Sequence, residues 1–371
     1  MFGAFTEDQE QLRELVRDYL RDKSPEPEVR RLMATEEGYD PAVWQQMARE
    51  IGLQGLAIPE QYGGQGAGWV ELGIVLEEMG RVLLCAPFFS TVVLAATTLL
   101  ESGDEEAKRE YLPAIADGSL IATVALTEEQ GRWDEAGISI PATHSPEGWT
   151  LSGSKHFVLD GATAQLLIVP ARTASGVSLF AVDATAPGVS RRPSVTLDET
   201  RKLAVVELDG TPARLLGAEG GGWPVLRRVL DFAAVGLAAE QAGGAQAALE
   251  MSVEYLNTRV QFGQVIGAFQ ALKHMAADVL IEVESAKSAA YYAIEAAAED
   301  NDELPAAASL AKSYCSEAFV TAAHQNIQFH GGMGFTWEVP AHLYFKRARS
   351  SEVLFGDASA HREALAQRIG I

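Results

Sequence analysis

Apolar periodicity changes twice along this 371-residue chain, and few folds accommodate both changes. Up to about residue 118 apolar residues recur at steps of three and four. Leu12, Leu15, Val16 and Leu20 are an example, and the spacing predicts amphipathic helices. The first has a start signal, with Thr6 as N-cap and Gln9 closing a capping box. Further helices are expected near 42–52, 69–83, 88–102 and 105–117. From about 120 the pattern shortens to runs at 120–126, 148–151, 165–170, 177–182 and 203–208, bounded by Gly, Pro, Asp and Ser. That is how strands and turns read. After Gly220, Gly221 and Gly222 helical spacing returns over about 223–257, 266–298, 303–330 and 358–369. The Ala-rich 266–298 stretch is expected to be long and packed on several sides. The expected fold class is α+β: an N-terminal helical domain (1–119), a small barrel- or sandwich-like β domain (120–222) and a C-terminal bundle of long helices (223–371).

The net charge of −22 argues against nucleic acid and anionic membranes as partners. An anionic ligand would need local arginines, backbone N–H groups or helix N-termini. The two cysteines, Cys85 and Cys315, are far apart and lack metal-ligand spacing, so no metal site is expected and both read as small buried apolar residues. The acidic N-terminus is unlike a signal or transit peptide, and no run of 18 apolar residues occurs. A cytoplasmic protein is expected.

Three segments carry chemistry. Arg259, Phe262 and Gly263 are read at a helix end, with arginine and phenylalanine on one side. An arginine fork suits a pyrophosphate and an aromatic can cover a flat heterocycle. Alone, the triplet reads more readily as a surface arginine beside a core phenylalanine. Gln328 precedes Gly331, Gly332 and Gly334, whose spacing permits close backbone approach to a phosphate-bearing ligand. A helix C-cap followed by a turn explains those glycines equally well. Residues 58–66, with Gly63, Gly64 and Gly66, read as a tight loop between helices.

Taken together and in order, residues 58–66, 76–81, 126–128, 153–157, 259–270 and 328–335 resemble the acyl-CoA dehydrogenase family over essentially the whole chain. The resemblance implies FAD, an acyl-CoA thioester substrate dehydrogenated at its α,β bond, an electron-transfer flavoprotein as acceptor, and a tetramer. It also implies site roles. Arg259, Phe262, Gln270, Gln328 and the Gly331, Gly332, Gly334 turn would reach the FAD of a neighbouring subunit. Thr127, Phe157 and Leu159 would lie against the flavin on the chain's own side.

The chain departs from the family pattern at the catalytic base. The two positions where the family keeps its glutamate hold Phe355 and Ala233. Neither side chain accepts a proton, and a positioned general base is worth roughly 10²–10⁴ in rate. The pattern is similar to two-chain (α₂β₂) dehydrogenases of sterol side-chain degradation, in which a homologous partner supplies the base. Two alternatives stay open: a self-sufficient enzyme with a relocated base, Glu240 or Asp357, or a non-catalytic structural subunit. Glu240 lies seven residues beyond Ala233 on the same apolar stripe, and reads first as a buried hydrogen-bonded group. Gly243 and Gly244 in mid-helix imply close approach of another element. Lys155 and His156 read as surface residues of the β domain, and His330 as a packed histidine.

Overall fold

The computed structural model describes residues 5–371. Among the described residues six α-helices come first: α1 (Glu7–Lys23), α2 (Glu26–Met33), α3 (Pro41–Gln46), α4 (Trp69–Arg81), α5 (Thr97–Glu101) and α6 (Glu105–Ala116). Seven strands follow: β1 (Ala122–Val124), β2 (Ala142–Ser145), β3 (Gly148–Leu159), β4 (Leu166–Thr173), β5 (Gly176–Asp183), β6 (Val189–Pro193) and β7 (Leu203–Leu216). Then come α7 (Gly222–Thr258), the hairpin strands β8 (Val260–Gln261) and β9 (Gln264–Val265), α8 (Gln270–Glu299), α9 (Leu304–His330), α10 (Ala341–Val353) and α11 (Ala358–Arg368). Among the described residues no helix is long and apolar enough to cross a membrane. The chain divides into two compact units. One comprises the residues up to Arg30, Trp69–Leu84 and Ala234–Ile371; the other comprises Arg31–Gly68 and Cys85–Ala233.

The first unit is helical, apart from the short hairpin. The capping box at its start forms as expected: Gln9 N donates to Thr6 Oγ1 (3.3 Å) and Thr6 N to Gln9 Oε1 (3.0 Å). Helix α1 meets α4 through charge. Arg13 donates to Glu77 (2.8 Å) and Glu78 (3.3 Å), and Arg17 to Glu78 (2.7 Å). Tyr291 on α8 donates to the same Glu77 carboxylate at 3.0 Å. Helix α7 meets α4 and α9 on glycines. A Cβ at Gly80 would fall 2.0 Å from the Glu240 carbonyl oxygen, and one at Gly244 would fall 2.5 Å from the Phe319 ring. Each mid-helix glycine costs about 1 kcal/mol against alanine, and this closeness is what it permits. Helix α8 departs from expectation. Its buried residues, among them Val279, Val283, Ala286, Ala290 and Ala293, form one stripe, while Leu280 (47%) and Ile281 (62%) are exposed. It is amphipathic, not enclosed on several sides, because its neighbours α9 and α4 leave an outer face uncovered.

The second unit is built on a seven-stranded sheet in the order β1-β4-β5-β7-β3-β2, with β6 beside β7. The β1–β4 pair is parallel and the other main-path pairs antiparallel. Strand β4 is apolar and buried over its first six residues, and β5 over most of its length, so this half of the sheet is covered on both faces. The expected helix at 88–102 opens as a buried π-helical run, Phe89–Ala96, before α5.

Candidate functional site

Two of the predicted segments lie in the helical unit. Helix α7 stops at Thr258, earlier than the expected glycine stop, so Arg259 and Phe262 do not share a helix face. Val260 and Gln261 pair with Val265 and Gln264, and Phe262 and Gly263 form the two-residue turn between them, with φ of 52° and 79°. Both central residues in the left-handed region is the geometry of a tight hairpin, which glycine tolerates and phenylalanine adopts with backbone strain. Phe262 is 90% exposed, its ring edge-on to Phe269 with centroids 6.1 Å apart. Arg259 is exposed and has no ion-pair partner among the described residues. Gln270, also exposed, opens α8.

The glycine turn meets the end of α7, just before this hairpin, through Tyr255. His330 at the end of α9 stacks on Tyr255 near the end of α7, with centroids 4.1 Å apart, and its Nδ1 sits 2.8 Å from the Asn326 carbonyl. His330 is thus a packed histidine that joins the two helix ends. Gln328 is exposed on the last turn of α9. Gly331 follows with φ 61°, and a Cβ at Gly331 or Gly332 would meet nothing within 4 Å. Gly334 is different. It is buried, and a Cβ there would fall 2.7 Å from the Ile327 carbonyl oxygen, so its glycine serves packing. An unpaired guanidinium, two glycines open to approach and an exposed ring fit an FAD pyrophosphate and its flat ring systems.

The two positions where the resemblance expects the family's base are apolar and enclosed. Ala233 is 0% exposed and Phe355 7%. Phe355 holds φ 61°, and its loop is pinned from beneath. Lys312, fully buried, donates to the Glu352 carbonyl (3.0 Å), the Gly356 carbonyl (3.0 Å) and Ser316 Oγ (2.9 Å). A cation there also meets the negative end of α10. His361 Nε2 lies 3.1 Å from the Phe355 carbonyl oxygen, so Nε2 carries the proton and Nδ1 faces Ser309 Oγ at 3.4 Å. Burial, with Lys312 adding repulsion, pushes the His361 imidazole down to about 4. Of the alternative carboxylates, Glu240 is buried against Arg347, 3.0 Å away. Asp357 caps α11, accepting from Ala360 N at 2.8 Å.

In the sheet unit, Thr127 is buried and bonds His156 twice. Its hydroxyl donates to the His156 carbonyl (2.6 Å), and its own carbonyl accepts from His156 N (2.8 Å). The β3–β7 register slips between Lys155 and Val158, and Phe157 in that bulge has φ 55° and is 46% exposed. Leu159 points its side chain into the core at 3% exposure, and its carbonyl accepts from Thr123 Oγ1 (2.7 Å). Lys155 is not a surface residue. It is 0% exposed and paired with Glu128 at 3.0 Å, because position 155 on β3 falls on the inward side of the bulge. A lysine in a turn-rich stretch gives no hint of this; the acid that balances it is 27 residues earlier.

Comparison with known proteins agrees along the whole chain. Family models of the acyl-CoA dehydrogenase N-terminal, middle and C-terminal domains match residues 6–119, 123–208 and 220–370. The acyl-CoA dehydrogenase IpdE2 of Mycolicibacterium smegmatis is 34% identical over 351 residues, 95% of either chain. The structure of a variant of the Tcur3481-Tcur3483 steroid ACAD matches with a TM-score of 0.88 at 35% identity over 98% of both chains. The ChsE4-ChsE5 complex from Mycobacterium tuberculosis matches at 0.90 and 29% identity over 99% of this chain and 98% of that one. With all three domains matched in order, and one relative a third identical along nearly its full length, the chain belongs to the acyl-CoA dehydrogenase family of FAD-dependent flavoprotein oxidoreductases.

Proposed function

We propose that this chain is one subunit of a two-chain acyl-CoA dehydrogenase, with domains at 1–119, 120–222 and 223–371, that helps hold FAD and leaves proton removal to a homologous partner. The observation that carries the reading is Phe355. An apolar ring occupies the family's glutamate position, on a loop fixed by Lys312 and His361, while Ala233 fills the other position. The carboxylates that could substitute are committed elsewhere, Glu240 to Arg347 and Asp357 to the start of α11. Two of the similar structures carry paired names, Tcur3481-Tcur3483 and ChsE4-ChsE5, the first called a steroid ACAD and the second a complex. A sterol-derived acyl-CoA is accordingly the substrate class, and an electron-transfer flavoprotein the acceptor.

In this reading Arg259 neutralises the pyrophosphate, and the open backbone at Gly331 and Gly332 lets N–H groups approach it. Gln328 and Gln270 offer amide contacts, and the Phe262 ring covers a heterocycle. Arg259 and its neighbours thus reach the FAD of an adjoining subunit, whereas Thr127 and Phe157 border the flavin on the chain's own side. FAD, when bound, supplies the hydride acceptor. Phe355 excludes water and cannot take a proton, so the α-proton goes to a carboxylate of the partner. The exposed apolar residues Val260, Phe262, Phe335 (77%) and Trp337 (58%) suit a homologous subunit as the covering surface. Co-purification with the partner, followed by flavin absorbance and dehydrogenation assays, tests the proposal. Yellow, active complex and inactive single chain are expected; full turnover by the purified chain alone would overturn it.

A further inference from the structure

Lys155 and Glu128 form a closely enclosed ion pair in the sheet unit, with side-chain exposures of 0% and 7%. The Lys155 ammonium donates to Glu128 Oε1 (3.0 Å) and to the Leu126 carbonyl (3.3 Å). Glu128 also accepts from Ser139 N (2.7 Å), Ile140 N (3.1 Å) and the Ser139 hydroxyl. One pair therefore ties three stretches of chain: residues 126–128 after β1, residues 139–140 before β2, and the centre of β3. Thr127 stands between the two acceptors of the lysine, and Phe157 follows two residues after it. The two bonds between Thr127 and His156 complete a closed loop of contacts around the bulge.

Such a pair contributes little to stability. The desolvation of two buried charges roughly cancels their attraction, and apolar replacement of both is often neutral. Burial pushes the Lys155 ammonium down to about 8 against the opposing pull of Glu128, so enclosure outweighs the partner. Desolvation also pulls the Glu128 carboxyl upward, but the Ser139 hydroxyl and Lys155 outweigh it and hold the acid below the usual carboxylate range. What the pair does supply is geometry: fixed positions for the hydroxyl of Thr127 and the strained backbone of Phe157.

We propose that Lys155 and Glu128 are positioning residues for the flavin-facing edge of this unit, holding Thr127 and Phe157 in the arrangement that sets the flavin's environment. The assignment rests on the reading that Thr127 and Phe157 border FAD. Neither residue of the pair touches the reacting atoms; each acts through the segment it fixes.

The test uses the FAD-loaded complex with its partner chain, with Lys155→Met, Glu128→Gln and the double variant Lys155→Met/Glu128→Gln. The double variant leaves no unpaired buried charge and keeps the measurement available where a single variant does not fold. The readouts are the visible flavin spectrum, the flavin reduction potential, and kcat against KM. A displaced flavin band, a shifted potential and a kcat lowered on the order of 10- to 100-fold with KM little changed are expected, the size of effect that a misplacement of about 1 Å produces. A purely structural pair would lower the melting temperature and leave spectrum, potential and kcat unmoved in the folded double variant, and that result overturns the proposal. A colourless wild-type complex would overturn the FAD reading, and this assignment with it; a yellow wild type with unmoved variants overturns the assignment alone.

Discussion

The carbonyl oxygen of Glu77 occupies the space where a side chain on Gly243 would begin: an ideal Cβ there lies 1.9 Å from it. Two effects compete in Gly243→Ala. Helix propensity favours alanine by about 1 kcal/mol. Overpacking against a backbone atom that cannot swing aside costs roughly 1–3 kcal/mol and sometimes more. The clash outweighs the gain over most of that range, so urea denaturation is expected to show a net loss of up to about 2 kcal/mol. A gain in stability would mean that α4 and α7 are not apposed this closely.

Gly332→Ala asks the opposite question. Nothing lies within 4 Å of the added methyl and the residue is not in the left-handed region, so folding stability is expected to hold to within about 0.5 kcal/mol. In the assembled protein the same methyl intrudes where backbone is proposed to meet phosphate. FAD retention after gel filtration should fall while the melting curve of the unloaded chain stays put. Undiminished retention would remove this turn from the cofactor site.

His361 gives the fold an acid limit. Folded, the imidazole stays neutral down to about 4, whereas an unfolded histidine takes up its proton near 6.5. Between those values the unfolded state binds the proton that the folded state refuses, so stability falls as pH drops from 6.5 to 4, by about 3 kcal/mol. Denaturant midpoints across that range should show the slope in the wild type and lose most of it in His361→Gln. An unchanged slope in the variant would place the titration elsewhere.

Phe355→Glu places a carboxylate where the resemblance expects the family's glutamate, without altering the left-handed backbone, which is equally strained for both residues. Burying the acid is expected to cost roughly 1–3 kcal/mol. In a complex whose partner has had its own base neutralised, this variant should regain dehydrogenation by at least about tenfold over the Phe355 chain, within the range a positioned base supplies. FAD bound but no regained turnover would show that position 355 does not face the substrate.

Glu240→Ala removes one member of the buried pair with Arg347. Stranding the guanidinium is expected to cost about 3–5 kcal/mol. If the variant complex remains folded at low temperature, bleaching of its flavin by acyl-CoA should persist. Loss of bleaching with intact FAD and intact fold would instead make Glu240 the base.

Long periodic stretches are readable from sequence for a physical reason. Helices α4, α7 and α9 and strands β4 and β5 bury a continuous face, so their spacing is written in the order of apolar residues. The capping box of α1 is equally local. What escapes is set by distant atoms. Strand β6 is a short polar stretch paired to β7, and α10 carries charges on nearly every exposed turn, so neither shows an apolar period. The turn at Phe262 reads as a helix end because Gly263 serves a hairpin as readily as a C-cap. Lys155 reads as a surface residue because its acid is far off in sequence. At the candidate site Arg259 and Gly332 lie exposed, as the proposed cofactor role requires, whereas Gly334 and Leu159 are decided by packing that no local pattern announces.

The hairpin tip has a thermodynamic corollary. Arg259 lacks an ion-pair partner among the described residues, and the Phe262 ring is nearly bare. In the proposed assembly, whatever these two grip is shared between molecules. Cofactor loss then becomes a mass-action process: successive dilution should release FAD, read as a rise in flavin fluorescence, at the same protein concentration at which the assembly comes apart.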